Sequence, residues 1–310
     1  MSNISQINTN LQALQGQSSL NKINNQLGDT QLKLSTGLRI NKAEDDAAGF
    51  SIASKLTSRI EGLEQASRNI GDAKSVLDIA ETGMNSVMDI LVDMKAKAVQ
   101  GANDTLGDKE REFIGSQIES LANEINSIAE NTTFQGIELL GGDAAGALVD
   151  TALTFQVGES SGDTLDVTLS AISVNTLFGN SLAISDGAAT PTDVITTTAA
   201  ANAPRDGLTV DEANITSTAF NSFIDTIDSA IETLAGQFNQ VGIDQTKLSI
   251  REENVDQAIN SNSAARSRIQ DADFAKVQSE SIRLQILQQT ATSALAQANS
   301  SPQSVLGFLG

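Results

Sequence analysis

The side chains that most often carry chemistry in proteins are scarce in this chain. Its 310 residues include no cysteine and no histidine, which excludes a thiolate nucleophile, a thiolate metal site and an imidazole general base. Carboxylates, lysines and hydroxyls remain. Glu44, Asp45 and Asp46 form an acidic run of the kind that can hold a cation. Asp271 and Asp273 could serve as a carboxylate pair in general acid–base chemistry.

Each of these carboxylate groups also has a structural interpretation. Acidic side chains are favoured at the first turn of a helix, where the helix dipole is positive, and the run at 44–46 precedes a helical pattern. Nothing near Asp271 and Asp273 supplies a pocket or a partner base, which favours packing or helix capping. The glycines of residues 141–146 lack the GxGxxG spacing of a phosphate-binding loop. The sequence therefore predicts no enzyme, no metal site and no cofactor.

Charge is distributed unevenly along the chain. There are 19 basic and 39 acidic residues, a net charge of −20 at pH 7. Residues 1–42 are net +3 and residues 265–310 are net +1, so the interior carries −24. Such an acidic chain is unsuited to binding nucleic acid or an anionic membrane. The nearly neutral ends indicate that they contact something other than water; an acidic protein without such contacts is the simpler alternative.

No targeting segment can be recognised in the sequence. Residues 1–10 lack the basic and apolar regions of a cleaved signal peptide. No apolar run approaches the ~18 residues that are needed to span a bilayer. We expect either a cytosolic chain or export by a route that removes no segment.

Heptad repeats are the clearest structural pattern. Apolar residues recur every seventh position over 63–98, with a second apolar set three residues further on, which predicts one long helix with a coiled-coil seam. Residues 114–128 repeat with 4-3-4-3 spacing and predict a second helix. A third heptad pattern over 227–259, interrupted at Gln245 and Glu252, predicts a return helix that packs against the first. The predicted seam residues are Leu63, Ile70, Leu77, Met84, Leu91, Leu234, Val241 and Leu248.

Between these helices the apolar period changes to two. Apolar and polar residues alternate over 153–157 and again over 165–169, which predicts a β-hairpin. Residues 176–214 are rich in small and polar residues. They are typical of an irregular insertion that faces outward, or of a solvated, mobile spacer.

Both ends of the chain are amphipathic, and the N-terminal end holds six asparagines in its first 25 residues. Gly16 and Gly28 interrupt the first of them, so this helix should be marginal in isolation. The ends could pair within one subunit and complete its core, or they could become ordered only against copies of themselves. The residues that we predict for a polymer interface are Ile4, Ile7, Leu11, Leu27, Leu34, Leu284, Leu287 and Leu295.

Motifs at the two ends resemble those of bacterial flagellins. Residues 34–56, LSTGLRINKAEDDAAGFSIASKL, resemble the N-terminal signature of that family. Residues 266–275, RSRIQDADFA, and residues 285–299, QILQQTATSALAQAN, resemble the C-terminal signature. The strand sequence at 153–158 is also similar to the family's hairpin. The resemblance covers roughly residues 1–175 and 215–310.

The resemblance implies a mainly α fold, a long antiparallel coiled-coil-like rod built from both ends of the chain, with a β-hairpin and a small variable insertion. Residues 1–42 with 268–310 would form an inner helix pair. Residues 43–175 with 215–267 would form the rod, and 176–214 the outward insertion. The implied function is that of a structural subunit that self-polymerises into the flagellar filament for swimming. The alternatives are a hook–filament junction protein and a type III secreted helical effector or adhesin.

The resemblance also implies a location and partners. An extracellular homopolymer would be exported through a type III channel without a cleaved signal peptide. Its partners would be further copies of itself, an export chaperone, the filament cap and the hook-associated junction proteins. The absence of cysteine suits a polymer assembled outside the cell, where free thiols could cross-link.

One departure from the family concerns innate immunity. Flagellins sensed by the Toll-like receptor for flagellin carry an arginine, a leucine four residues on, and a glutamate in the next helix. The matching positions here are Asp93, Lys97 and Gln117. The first change reverses a charge and the second removes an apolar anchor, so the sequence predicts weak or absent receptor activation.

Overall fold

The computed structural model describes residues 10–141, 150–178, 195–197, 208–210 and 216–306. Within these ranges the chain is mainly helical, and the predicted fold class is confirmed. The helices are α1 (Leu11–Thr36), α2 (Ala47–Gly101), α3 (Asp108–Asn131), α4 (Val174–Phe178), α5 (Ser217–Gln270) and α6 (Phe274–Leu306). The strands are β1 (Thr133–Phe134), β2 (Ile137–Glu138), β3 (Thr151–Gln156), β4 (Thr164–Leu169), β5 (Ile195–Thr197) and β6 (Leu208–Val210).

The strands form three antiparallel pairs, β1–β2, β3–β4 and β5–β6. β3 and β4 pair from Thr151 opposite Leu169 to Gln156 opposite Thr164, so the hairpin predicted from the period of two is confirmed. Strands β5 and β6 lie within the predicted insertion, most of which is outside the described residues.

The turn between β1 and β2 has a backbone conformation that only some residues adopt. Gln135 and Gly136 both have positive φ, 51° and 83°. Two consecutive positive φ values are the mark of the type I′ turn, whose twist matches that of paired strands. This two-residue turn therefore closes the short hairpin that follows α3.

The chain divides into two compact units. One comprises Met1–Glu61 with Ala258–Gly310, and the other Gly62–Gln257. We call them the terminal unit and the central unit. Helices α2 and α5 contribute residues to both. The division into an inner pair, a rod and an insertion at 42, 175, 215 and 267 stays a prediction.

In the central unit, α2 and α5 run antiparallel. Lys95 forms an ion pair with Asp228, and Lys74 forms one with Glu252, so residue numbers fall along α2 as they rise along α5. Apolar side chains on one stripe of each helix are removed from water when the stripes face each other. The eight predicted seam residues, Leu63, Ile70, Leu77, Met84, Leu91, Leu234, Val241 and Leu248, are at most 7% exposed.

A buried arginine completes the end of α2. Arg111, 8% exposed, donates from Nε to the Gly101 carbonyl at 3.2 Å and from a terminal nitrogen to the Asn103 carbonyl at 3.1 Å. The last carbonyls of a helix have no partner within the helix, and the guanidinium supplies one. Gly101 is required here because a Cβ would lie 2.6 Å from the ring of Phe220 at the start of α5.

The segment after β4 closes the core of the central unit. The Ile172 amide donates to the Leu140 carbonyl at 2.7 Å, and the Val174 amide donates to Asn126 Oδ1 on α3 at 3.0 Å. Phe178 of α4 stacks on Phe223 of α5, with ring centroids 6.0 Å apart. Helix α3 and the hairpin are thereby tied to the same core as α5.

Candidate polymer interface

Helices α1 and α6, from opposite ends of the sequence, lie side by side and antiparallel. Asn10 Nδ2 donates to the Ala298 carbonyl at 2.7 Å, and Gln288 Nε2 donates to Asn24 Oδ1 at 2.8 Å. Gly16 brings the two helices close together, since a Cβ there would lie 3.2 Å from a methyl group of Leu295. The two amphipathic ends of the chain therefore pair within one subunit.

Hydrogen bonds between the two signature motifs join the end of α1 to the segment that precedes α6. Gly37, in the left-handed region with φ 72°, ends α1 and accepts a bond from the Ala272 amide at 2.9 Å. The Arg39 amide donates to the Gln270 carbonyl at 2.6 Å, and its guanidinium donates to the Ile269 carbonyl at 2.5 Å. Residues 37–39 and 269–272 thus fix where α1 ends and α6 begins.

The aspartates of the second motif serve this junction. Asp271 accepts a bond from the Ser267 hydroxyl at 2.6 Å, and Asp273 Oδ1 accepts one from the Lys276 amide at 3.2 Å at the start of α6. A side-chain acceptor at this position satisfies an amide that the first turn leaves free. Both carboxylates are occupied with helix ends, as the structural interpretation of the sequence expected.

Two carboxylates of the acidic run at 44–46 accept hydrogen bonds from backbone amides at the start of α2 and in the turn before it. Asp45 Oδ2 accepts bonds from the Asn41 and Lys42 amides at 2.9 and 3.0 Å, and Asp46 Oδ1 accepts one from the Gly49 amide at 3.0 Å. The pKa of Asp45 is held below its usual value because these hydrogen bonds stabilise the ionised carboxylate. The bond from the Asn41 amide has the largest effect, and the bond from the Lys42 amide has the next largest. Lys33, whose Nζ is 3.9 Å away, acts in the same direction.

This lowered pKa gives a pH-dependent contribution to stability. A carboxylate with a depressed folded-state pKa stabilises the fold above its unfolded pKa, about 3.9, and loses that contribution as the pH falls through the folded value. Asp45→Asn should therefore lower the melting temperature at pH 7, and the difference from the wild type should shrink toward zero in acid below the folded pKa.

Asp29→Asn is the matched control for this prediction. Asp29 is exposed on α1, and its carboxylate has no polar contact among the described residues. Its substitution should leave the melting temperature nearly unchanged at both pH values. A difference between Asp45→Asn and the wild type that stays constant from pH 7 into acid would contradict the prediction.

The terminal unit has little core of its own. Of the 41 buried apolar residues in the described chain, five belong to it: Leu27, Ile40, Ala53, Ile60 and Leu284. Burial of apolar area is the main term that favours folding. The α1–α6 pair is therefore weakly stabilised within a single subunit.

Large apolar side chains lie instead on the outer surface of the pair. Those of α1 and α6 are between 37% and 61% exposed, which is unusual for a surface that meets only water. They are Leu11, Leu14, Leu32, Phe274, Ile282, Ile286 and Leu287. We call these seven residues the terminal surface.

The structure divides six of the eight predicted polymer-interface residues into three groups. Leu11 and Leu287 belong to the terminal surface, at 52% and 40% exposed. Leu27 and Leu284 are buried within the subunit, and Leu34 and Leu295 are half-buried. Ile4 and Ile7 lie outside the described residues. The terminal surface also contains five residues that are not among the predicted ones: Leu14, Leu32, Phe274, Ile282 and Ile286.

The three receptor-equivalent positions lie on the central unit. Asp93 is exposed on α2, Lys97 is half-buried one turn further on, and Gln117 is exposed on α3.

Among the described residues, no group of carboxylates is arranged to hold a metal ion. No helix in the described ranges is both long enough and apolar enough to cross a membrane.

The architecture defines a class of helical subunit. Helices α1 and α6 from the two ends of the chain pair in the terminal unit, and α2 and α5 run antiparallel in the central unit. Residues 7–145 match a family model described as the bacterial flagellin N-terminal helical region. Residues 224–309 match one described as the bacterial flagellin C-terminal helical region.

Relatives match over nearly the whole chain. A flagellin of Halalkalibacterium halodurans is 33% identical, covering 98% of this chain and 99% of the relative. A flagellar filament 41 kDa core protein of Borreliella burgdorferi is 32% identical, covering 91% and 93%. The chain belongs to the bacterial flagellin family, and it is a structural subunit of the flagellar filament.

A solved structure shares the fold. It is described as a flagellar hook-associated protein from Vibrio parahaemolyticus, with a TM-score of 0.55, and it covers 73% of this chain and all of its own. The two sequences are 17% identical, so this similarity concerns the fold alone.

Proposed function

We propose that copies of this chain assemble into the filament through the terminal surface. The observation that carries the proposal is a helix pair with a minimal core and seven large apolar side chains on its outside. Covering such side chains by another copy removes apolar area from water, which stabilises the assembly and the pair together. The work of the polymer is mechanical, since the filament transmits rotation for swimming.

The distribution of charge supports contact through the terminal unit. That unit carries ten basic and eight acidic residues, whereas the central unit carries nine basic and 31 acidic residues. Copies of the central unit therefore repel each other, while copies of the nearly neutral terminal unit approach at little electrostatic cost. We expect the acidic central units to lie in the filament at positions where solvent and counterions reach them.

Electron microscopy of the purified full-length chain, after precipitant-induced assembly, tests this function. Long filaments of uniform diameter are expected. A chain that stays monomeric in sedimentation under the same conditions would favour the secreted effector or adhesin. A chain that forms only short rings or caps would favour the junction protein.

Family membership also supports a set of partners and an export route. We infer that an export chaperone holds the unassembled chain, and that the filament cap and hook-associated junction proteins contact it in the filament. We further infer passage through a type III channel without removal of a signal peptide. Mass spectrometry of filaments sheared from cells checks the last point, since the N-terminal peptide should be present.

Weak activation of the innate flagellin receptor is a separate prediction. Asp93 and Lys97 present a carboxylate and an ammonium group where strongly sensed flagellins present arginine and leucine, so the contact loses a charge pair and an apolar anchor. A reporter-cell dose response should lie well to the right of that of a strongly sensed flagellin. The triple variant Asp93→Arg/Lys97→Leu/Gln117→Glu should move it back. Equal responses from the wild type and the strongly sensed protein would contradict the prediction.

A further inference from the structure

The heptad repeat in the middle of α5 does not by itself define how α5 is aligned along α2. Leu234, Val241 and Leu248 repeat every seven residues and are all buried. Sliding α5 by one heptad, about 10 Å, would place each leucine or valine where its neighbour had been. The seam contacts of these three residues would be largely preserved, so the seam gives little discrimination along this stretch. The packing of Phe220 against Gly101 favours the observed register at the start of α5, and polar contacts between the helices add to that preference.

Three polar contacts cross between the helices in the central unit. Lys74 pairs with Glu252 near one end, and Lys95 pairs with Asp228 near the other. Between them, Gln245 Nε2 donates to Asp78 Oδ1 at 3.1 Å and to Glu81 Oε2 at 2.8 Å. These side chains are partly exposed. Each contact alone therefore adds little to stability, although together they can distinguish one alignment from another.

We propose that these three contacts, the register contacts, act together with the packing of Phe220 against Gly101 to select the alignment of α2 and α5. Sliding α5 by one heptad in one direction brings Glu252 to the position of Gln245, opposite Asp78 and Glu81, and three carboxylates would then meet. The same slip takes both lysines away from their carboxylates. Gln245 is suited to its position because it is an uncharged donor that can bridge two acids.

Sliding by one heptad in the other direction is also disfavoured. Phe238 would replace Gln245 opposite Asp78 and Glu81, leaving both carboxylates without their amide donor. Lys74 would then face Gln245 and lose its ion pair, and Lys95 would face Asn221. Each slipped alignment thus loses all three register contacts, and one of them adds repulsion between like charges.

Gln245→Glu tests the repulsion between three carboxylates that the first slipped alignment would produce. This substitution creates, in the native alignment, the contact that the first slip would produce. It should lower the melting temperature by several degrees, and adding Glu81→Gln should recover most of the loss. Gln257→Glu is the matched control, because Gln257 is exposed on the same helix and its side chain has no polar contact among the described residues. Equal effects of the two single substitutions would overturn this part of the proposal.

The alignment itself can be measured by cysteine cross-linking, because the chain has no cysteine of its own. Met84 and Val241 line the same cavity, so Met84→Cys/Val241→Cys reports the native alignment. Met84→Cys/Leu248→Cys and Met84→Cys/Leu234→Cys report the two slips. Each full-length reporter is refolded in the presence of a short thiol cross-linker, and the native and slipped products are compared.

The register contacts are removed by Lys74→Ala/Lys95→Ala/Gln245→Ala. This change should lower the ratio of native to slipped product by about tenfold. A control that removes two cations and one glutamine elsewhere on α2 and α5, Lys97→Ala/Arg251→Ala/Gln257→Ala, should leave the ratio unchanged. A ratio equal to that of the wild type after loss of the register contacts would overturn the proposal.

Discussion

Replacing Ile286 by aspartate is expected to abolish filament assembly and to leave the subunit folded. Ile286 is 59% exposed on α6, so the subunit itself tolerates a charge there. In the filament the carboxylate would have to be desolvated without a partner, which is strongly unfavourable. Sedimentation and electron microscopy should show monomers under conditions in which the wild type forms filaments. Thermal unfolding of the unassembled variant should resemble that of the wild type.

Ile250→Asp is the matched control for this substitution. Ile250 is 56% exposed on α5 in the central unit, so the two variants make the same chemical change at nearly equal exposure. Filaments should still form from Ile250→Asp. Normal assembly of Ile286→Asp would contradict a polymer contact at the terminal surface, and equal loss in both variants would show that the effect is not specific to it.

Truncation of the central seam should cause the largest loss of stability. Leu91 is fully buried on α2, and Leu91→Ala removes its contacts with the rest of the core and leaves a cavity. Such substitutions cost about 2–5 kcal/mol. The free energy of unfolding of the unassembled chain, measured in denaturant, gives the value directly.

The neighbouring position supplies the control for Leu91→Ala. Val92 is 54% exposed on the same helix, so Val92→Ala should change the free energy of unfolding by only about 0.5 kcal/mol. Similar losses at the two positions would mean that the heptad seam does not define the core of the central unit.

The long helices could be predicted because their apolar residues follow one period without interruption. A seam of leucines every seven residues has few alternative structures, and Ile70, Leu77 and Leu91 are indeed buried. The apolar pattern of α5 was a less complete guide to burial, because Gln245 and Glu252 interrupt it. Ile231 and Phe238 fit an apolar pattern but are only half-buried, whereas Ala230 and Asp244 are buried.

Asp244 shows why apolar periodicity does not identify every buried residue of α5. It is 2% exposed, yet Lys247 Nζ lies 2.8 Å from one carboxylate oxygen and Gln240 donates to the other at 3.0 Å. A buried carboxylate is tolerated when it is paired and hydrogen-bonded. Its partners sit three and four residues away on the same helix, which a search for apolar periodicity does not detect.

The terminal surface was only partly predictable for a geometric reason. The sequence shows that both ends are amphipathic, but the exposed stripe depends on how α1 and α6 are rotated against each other. The approach of Gly16 to Leu295 and the backbone bonds at residues 37–39 and 269–272 set that rotation. Ile282 and Ile286, spaced by four, form a second apolar stripe that could have been recognised.

The most direct test compares assembly of the full-length chain with assembly of residues 62–257, the central unit. This unit holds 36 of the 41 buried apolar residues of the described chain, so circular dichroism should show it folded and helical. Electron microscopy after precipitant-induced assembly should show long filaments from the full-length chain and none from the central unit. Filaments of the same form from residues 62–257 would contradict assembly through the terminal helices.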